Sequence, residues 1–286
     1  MRYKFLRFPN GLRKAVTFSY DDGCRSDIRL VNTLNKYGIK CTFNINNGFI
    51  PEKDGEWHLT EQEIRENIIN AGHEIAVHGE EHRASGKLRA IDGISDVLNC
   101  RLGLEKRFGT IIRGMAYPDS GITAFANGAD YENIKRYLKD LDIAYSRTLG
   151  ADNDGFELPT DWLAWVPTAH HVNPNVLDYI EKFNAIEDKG YGASLTPKLF
   201  YLWGHSFEYE NNGNWELLEK ICERLSGKED VWYATNIEIY DYVTAYDRLV
   251  YSADGATVYN PTLIDVWISV DSVVKCVKSG ETVKLV

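Results

Sequence analysis

The chain has 286 residues, 44% of them hydrophobic and 26% charged, and a formal net charge of -10, enough sequence for one barrel-sized domain or two smaller ones. A phosphate backbone is bound mainly through Lys and Arg, so the acidic balance argues against nucleic acid and against an anionic membrane surface as partners. No run approaches the ~18 apolar residues of a membrane span. The stretch from Met1 to Arg7 lacks the apolar core of a signal peptide, and Cys24, Cys41, Cys100, Cys222 and Cys276 are scattered without a Cys-x-x-Cys spacing. The expectation is a cytoplasmic protein with free, mostly buried thiols, or a secreted one if a leader has been removed.

In chain order the pattern alternates between β-rich runs and helical periodicity. Lys14 to Tyr20 reads as a strand ending in Asp21-Asp22-Gly23, Ile28 to Tyr37 as a helix, and Cys41 to Ile45 as a strand. Thr60-Glu61-Gln62-Glu63 is a capping box that opens a helix running to about Asn70, with Gly72 as its stop. His73 to Val77 is then a strand that delivers His78. Helices follow at Ile94 to Phe108, Tyr131 to Leu141, Asn175 to Phe183, Trp215 to Leu225 and Ile237 to Tyr246. Strands fall at Ile111 to Tyr117, Ile143 to Thr148, around Trp165, at Leu199 to Trp203 and at Val231 to Ala234. This alternation predicts an α/β fold, a distorted parallel (β/α) barrel of seven or eight units over residues 1–248. From Leu249 to Val286 the texture changes to short β-rich runs broken by Asp254-Gly255, Asn260-Pro261 and Ser279-Gly280. Residues 249–286 therefore read as a small C-terminal β appendage, too short to fold alone, with a structural cap favoured over a carbohydrate-binding or dimerising module.

The polar residues fall where a barrel assembles its site. Asp21, Asp22, His78, Arg113, Tyr117 and His205 lie at or near the carboxyl ends of expected strands. His78 and His82 stand four apart, so their rings can converge on one cation with a carboxylate from elsewhere, a set with open positions that suits a catalytic metal. The plainer reading of such a pair is a solvated helix face. His73 reads as a satisfied core or surface histidine, Cys24 as a small buried thiol, and either His170 or His171 as facing the cleft.

The order of these motifs resembles the polysaccharide deacetylase family, carbohydrate esterase family four, over roughly Lys14 to Tyr246. Ser19-Tyr20-Asp21-Asp22-Gly23 fits its Thr-Phe-Asp-Asp-Gly motif. His78 and His82 match the His-Ser/Thr-x-x-x-His motif, with Gly79 in the hydroxyl position. Arg113-Gly114-Met115-Ala116-Tyr117-Pro118 stands for Arg-x-Pro-Tyr with the Tyr one residue late, Asp161-Trp162 for the Asp-Trp pair, and Leu202-Trp203-Gly204-His205 for Leu-x-His. The resemblance implies Asp21 as general base, Asp22, His78 and His82 as metal ligands, Arg113 orienting the base, the Tyr117 backbone N–H holding the oxyanion, and His205 as general acid. Asp161 joins the catalytic set, and Trp162, Trp165 and Trp203 are candidates for stacking on sugar rings. The implied activity is metal-dependent removal of acetyl groups from an N- or O-acetylated carbohydrate, with Zn2+ ahead of Co2+ or Ni2+. Two alternatives stay open: hydrolysis of a non-sugar amide or cyclic imide on the same barrel, and a catalytically silent carbohydrate-binding protein. Oligomeric state is left open by the sequence.

Overall fold

The computed structural model describes residues 2–53, 55–189 and 195–285; Met1 and Val286, the outer ends of two stretches read above, lie outside them. A short strand β1 (Lys4–Arg7) precedes the central strand β2 (Lys14–Asp21). Then come α1 (Asp27–Tyr37), β3 (Cys41–Ile45), and α2 (Glu61–Glu63), which runs on as a π-helical turn over Ile64–Ile69. β4 (Glu74–Val77), α3 (Ala90–Phe108), β5 (Gly114–Ala116), α4 (Tyr131–Asp140) and β6 (Tyr145–Arg147) follow. The second half holds β7 (Ala169–His170), α5 (Val176–Asn184), β8 (Lys198–Gly204), α6 (Ser206–Asn212), α7 (Trp215–Leu225), β9 (Val231–Tyr233) and α8 (Asn236–Asp247). The expected capping box is present: the Thr60 side chain accepts from Glu63 N–H while the Glu63 carboxylate takes Thr60 N–H at 2.9 Å. No helix among the described residues is long and apolar enough to cross a membrane.

The large sheet has the order β6-β5-β4-β3-β2-β8-β7, with β9 also on β2, and its pairings are parallel. Its two ends are joined by the segment that leads into β7. Trp165 bridges in parallel to Arg147 of β6, its N–H donating to Ser146 O at 2.9 Å, while Thr168 N–H donates to Tyr201 O of β8 at 3.0 Å or less. The sheet therefore curls into the distorted α/β barrel that the alternation predicts. Every residue of β2 is buried, as expected for a parallel strand covered on both faces.

Strand parity then separates two environments. Val16, Phe18 and Tyr20 point outward to Leu30, Val31 and Leu34 of α1, within the main apolar core. Burying a side chain of that size contributes about 1.5–3 kcal/mol. The alternate residues of β2 turn into the barrel and are polar: Thr17 donates to Asn236 Oδ1, Ser19 accepts from Asn44 Nδ2, and Asp21 lies at the carboxyl end. Glu74, Tyr145 and Thr42 form another inward layer, with Tyr145 and Thr42 hydroxyls donating to the Glu74 carboxyl, which burial pushes up to about 7.

His73, just before β4, behaves as a structural histidine. Cys41 N–H donates to its Nδ1 at 3.1 Å, which leaves the proton on Nε2, facing Asn35 Oδ1 at 3.0 Å. Burial, assisted by Lys40, lowers its pKa to about 4. An unfolded histidine takes up its proton near pH 6.5, so between about 6.5 and 4 the unfolded chain binds more protons and stability is lost as pH falls. The expected loss is on the order of 3 kcal/mol. Urea unfolding at pH 7 and pH 4.5 should show it, and His73→Gln should flatten that dependence; an unchanged slope in the variant would contradict the assignment.

Beyond α8, strands β10 (Val250–Tyr251), β11 (Thr257–Tyr259), β12 (Val266–Val270), β13 (Val273–Val277) and β14 (Thr282–Lys284) make two small antiparallel sheets. One is ordered β10-β11-β14; the other is β1-β12-β13, so the N-terminal strand completes it. Val258, Val266, Ile268, Val270 and Val277 pack with Ala245 and Leu249 into one apolar cluster. Tyr242 of α8 ties the parts together, donating its hydroxyl to Arg7 O at 2.8 Å and accepting from Trp267 N–H at 2.9 Å.

Candidate metal centre and active site

Asp21 ends β2 on the inward parity and is 2% exposed. Asn44 Nδ2 donates to its Oδ1 at 2.8 Å, and the Arg147 guanidinium, from the end of β6, bonds its Oδ2. Burial alone would raise this carboxyl; Arg147, His78 and His205 more than offset that, so Asp21 sits below its ordinary value and is ionised. The Arg147 guanidinium in turn lies 4.2 Å from the centre of the Trp203 ring, a cation–π contact that spreads the buried positive charge.

The chain then leaves the strand through strained backbone. Asp22 adopts φ 78° and Gly23 φ 63°, and a left-handed non-glycine residue costs on the order of 1–3 kcal/mol, a cost met most often at functional positions. The turn aims Asp22 Oδ1 at His78 Nε2, 3.5 Å away, and His82 Nε2, 3.3 Å away. Burial opposes ionisation of Asp22, but His78, His205 and His82 dominate and hold it well below the carboxylate range.

His78 follows β4 and is 1% exposed. Its Nδ1–H donates to Ala116 O at 2.9 Å, which fixes the tautomer and turns the Nε2 lone pair into the cleft. That backbone anchor is the usual partner of a metal-ligating histidine. Gly79 (φ 74°) and His82 (φ 54°) carry the loop round, and Asn46 Nδ2 bonds the carbonyls of His78 and Gly79. A Cβ at Gly79 would stand 2.4 Å from Asp96 Oδ2, so any side chain here would have to displace Asp96.

The donor set fits a divalent cation. Asp22, His78 and His82 each offer one ligand atom, all within 4.8 Å of one another, and separations of 3.3 and 3.5 Å suit ligands about 2.0–2.2 Å from a common tetrahedral ion. His82 is held below its ordinary pKa by burial and by His78, so it too offers a lone pair at neutral pH.

His205, immediately after β8, faces the same cleft, with Nε2 3.8 Å from Asp21 Oδ2 and Nδ1 3.5 Å from Glu208 Oε2. Burial would lower its pKa, yet the carboxylates of Glu208, Asp21 and Asp22 outweigh burial and hold the imidazole above its ordinary value.

The other expected residues lie elsewhere. Arg113 precedes β5 at the amino end of the barrel and pairs with Asp241 of α8 at 2.6 Å; the arginine on Asp21 is Arg147. Tyr117 N–H donates to Arg147 O at 3.0 Å and its hydroxyl to Leu163 O at 2.8 Å, so its N–H is already engaged within the sheet. Asp161 caps the turn Trp162–Ala164 and bonds Lys135 and Tyr131 at 2.5 and 2.7 Å. Trp165 is 1% exposed and wedged between Tyr145 and Tyr201, and Trp162 packs on Trp165 and Tyr240. Trp203 does border the cleft, between Arg147, His170 and His205. The residues that sequence reading missed are Arg147, Asn44 and Glu208. Arg147 carried a legible signal: it is the charged residue at the carboxyl end of the run Ile143 to Thr148.

Taken together, these observations define a parallel α/β barrel with a three-ligand cluster suited to a divalent cation at the carboxyl ends of its strands. Comparison with known proteins gives a family likeness: the polysaccharide deacetylase family model matches residues 9–138. A nominal polysaccharide deacetylase from Mycobacterium smegmatis superposes with a TM-score of 0.60 at 19% identity, over 86% of this chain and 96% of its own. A family 4 acetyl xylan esterase from Clostridium thermocellum in complex with a cobalt ion gives 0.49 at 17% identity, over 80% and 91%. A family 4 carbohydrate esterase from Streptomyces lividans in complex with acetate gives 0.48 at 12%, over 78% and 93%. At 19% identity the likeness to the first of these is one of fold. No curated protein matches the sequence significantly.

Proposed function

We propose that this barrel is a cation-dependent deacetylase acting on an N- or O-acetylated carbohydrate, an oligosaccharide before a polymer, with Zn2+ the preferred ion and residues 249–286 a structural cap. The observation that carries the reading is the apposition of Asp21, buried and ionised, with the Asp22-His78-His82 cluster on one side and His205 on the other. A divalent cation held by those three residues would supply Lewis acidity, lowering the pKa of water and polarising the acyl carbonyl.

The remaining work falls to the chain. Asp21 accepts the proton of the attacking water, and the Arg147 and Asn44 bonds keep its carboxylate ionised and aimed. As the acyl carbon–nitrogen or carbon–oxygen bond breaks, His205 gives its Nε2 proton to the departing amine or alkoxide, leaving acetate and the deacetylated sugar. Beside the site Trp57, 48% exposed, packs on Phe207 at 5.3 Å between ring centres, and Phe207 lies 5.1 Å from the His205 ring. They border a cleft of about 570 Å3 that also presents Arg25, Asn32 and Glu56. Aromatic faces flanked by such polar groups suit a pyranose ring.

The test is acetate release from acetylated chito- and xylo-oligosaccharides by protein stripped of metal and then reloaded with Zn2+ or Co2+. Release is expected only after reloading. Turnover of cyclic imides without acetate release, or binding of sugars without any turnover, would overturn the proposal.

A further inference from the structure

Behind His205 lies a carboxylate for which the reaction above has no use. Glu208, on α6, presents one oxygen, Oε2, to three imidazoles: His171 Nε2 at 3.2 Å, His170 Nε2 at 3.3 Å and His205 Nδ1 at 3.5 Å. The same oxygen accepts the His205 backbone N–H at 3.3 Å. Gly204 makes the arrangement possible, since a Cβ there would stand 1.9 Å from His171 Nδ1. His171 is fully buried, its ring stacked between those of Tyr20 and Tyr209 at 5.6 and 4.1 Å.

Tautomers decide what such a cluster holds. His170, His205 and Glu208 offer ligand atoms within 4.8 Å of one another, as a cation site would. However, Val172 N–H donates to His170 Nδ1 at 3.3 Å, so the neutral ring carries its proton on Nε2, the atom that faces Glu208. In the Asp22 cluster the opposite holds, because His78 gives its N–H to Ala116 O and turns a lone pair inward. One cluster is built of lone pairs for a cation; in the other His170 turns an N–H toward an anion, Glu208, with ring nitrogens of His171 and His205 within 3.5 Å of the same oxygen.

We propose that Glu208 is the positioning residue of the general acid. Steadied by His170 and His171, its carboxylate keeps His205 protonated on Nδ1 and directs Nε2 into the cleft. The proton transferred to the leaving group is then the one on Nε2, and His205 is left neutral with Nδ1–H still facing Glu208. The assignment rests on the reading of His205 as the acid, but it can be tested without turnover.

Glu208→Gln is the informative variant, because Gln keeps a side-chain carbonyl for the His205 N–H and removes only the charge. In 15N-histidine-labelled protein, with His205 assigned through His205→Asn, the neutral ring formed on raising the pH should be the Nδ1–H tautomer in the native chain and a mixture of tautomers in the variant. In kinetics, kcat on an N-acetylated sugar should fall roughly 10- to 100-fold with KM unchanged, whereas p-nitrophenyl acetate, whose leaving group needs no proton, should change less than about two-fold. An unchanged tautomer, or equal losses on both substrates, would overturn the proposal. A wild-type chain inactive on every acetylated substrate, yet showing the tautomer change, would count against deacetylation and leave the role of Glu208 standing.

Discussion

Asp21→Asn will reduce turnover by about 10³-fold or more, at the upper range of a general base, while Zn2+ still binds at close to one equivalent per chain. Asp22→Ala and His78→Ala will instead lose the ion itself. The contrast follows from geometry, because Asp22 Oδ1 lies within 3.5 Å of both histidine Nε2 atoms, whereas Asp21 is committed to Arg147 and Asn44. Calorimetric titration with Zn2+ beside acetate release separates the two effects. An Asp21→Asn protein that fails to bind the ion would make Asp21 a ligand and remove it as base; one that retains full turnover would end the base assignment outright.

The second large effect is on stability. Arg147→Met should cost about 3–5 kcal/mol, because it strands an ionised carboxylate in a place that is 3% exposed. Asp21→Asn should lose a comparable amount by stranding the guanidinium. The double variant should recover much of the loss, since replacing both partners of a buried pair by neutral groups is far cheaper than removing one. Chemical denaturation of the four proteins closes the cycle, and additive losses would mean that the two groups do not act as a pair. In Arg147→Met the burial of Asp21 is no longer opposed by its largest counter-charge. Its pKa should climb, and the acidic limb of any residual activity should move to higher pH.

Much of this was legible in the chain. The inward parity that sets Asp21 at the end of β2 and Trp203 near the end of β8 is carried by period-2 alternation, and the positions of His78 and His205 just beyond β4 and β8 follow from it. The arginine could not be read from motif order, because order along the chain does not reveal on which end of a strand a residue falls. Arg113 lies one residue before β5 begins, at the wrong end of the barrel, and the next strand supplies Arg147 instead. The same limit applies to Tyr117, whose N–H is consumed by a sheet bond to a neighbouring strand. Asp161 looked catalytic by adjacency to Trp162, yet a turn cap and a lysine partner account for it. Helix α6 escaped because it starts directly after β8 and spans only seven residues, too few to show periodicity.

The pairing of β1 with β12 sets the schedule on which the molecule can be completed. Leu6 faces Ile268 and Phe5 faces Ser269, so β1 must wait during synthesis for a strand made only after the whole barrel. Strands β2 to β6 can pair during synthesis, each parallel neighbour appearing one helix after the previous one, while β1 trails as an unpaired edge. Nascent chains arrested before Val266 should therefore expose that edge to chaperones, and only the emergence of β12 lets β1 close its sheet.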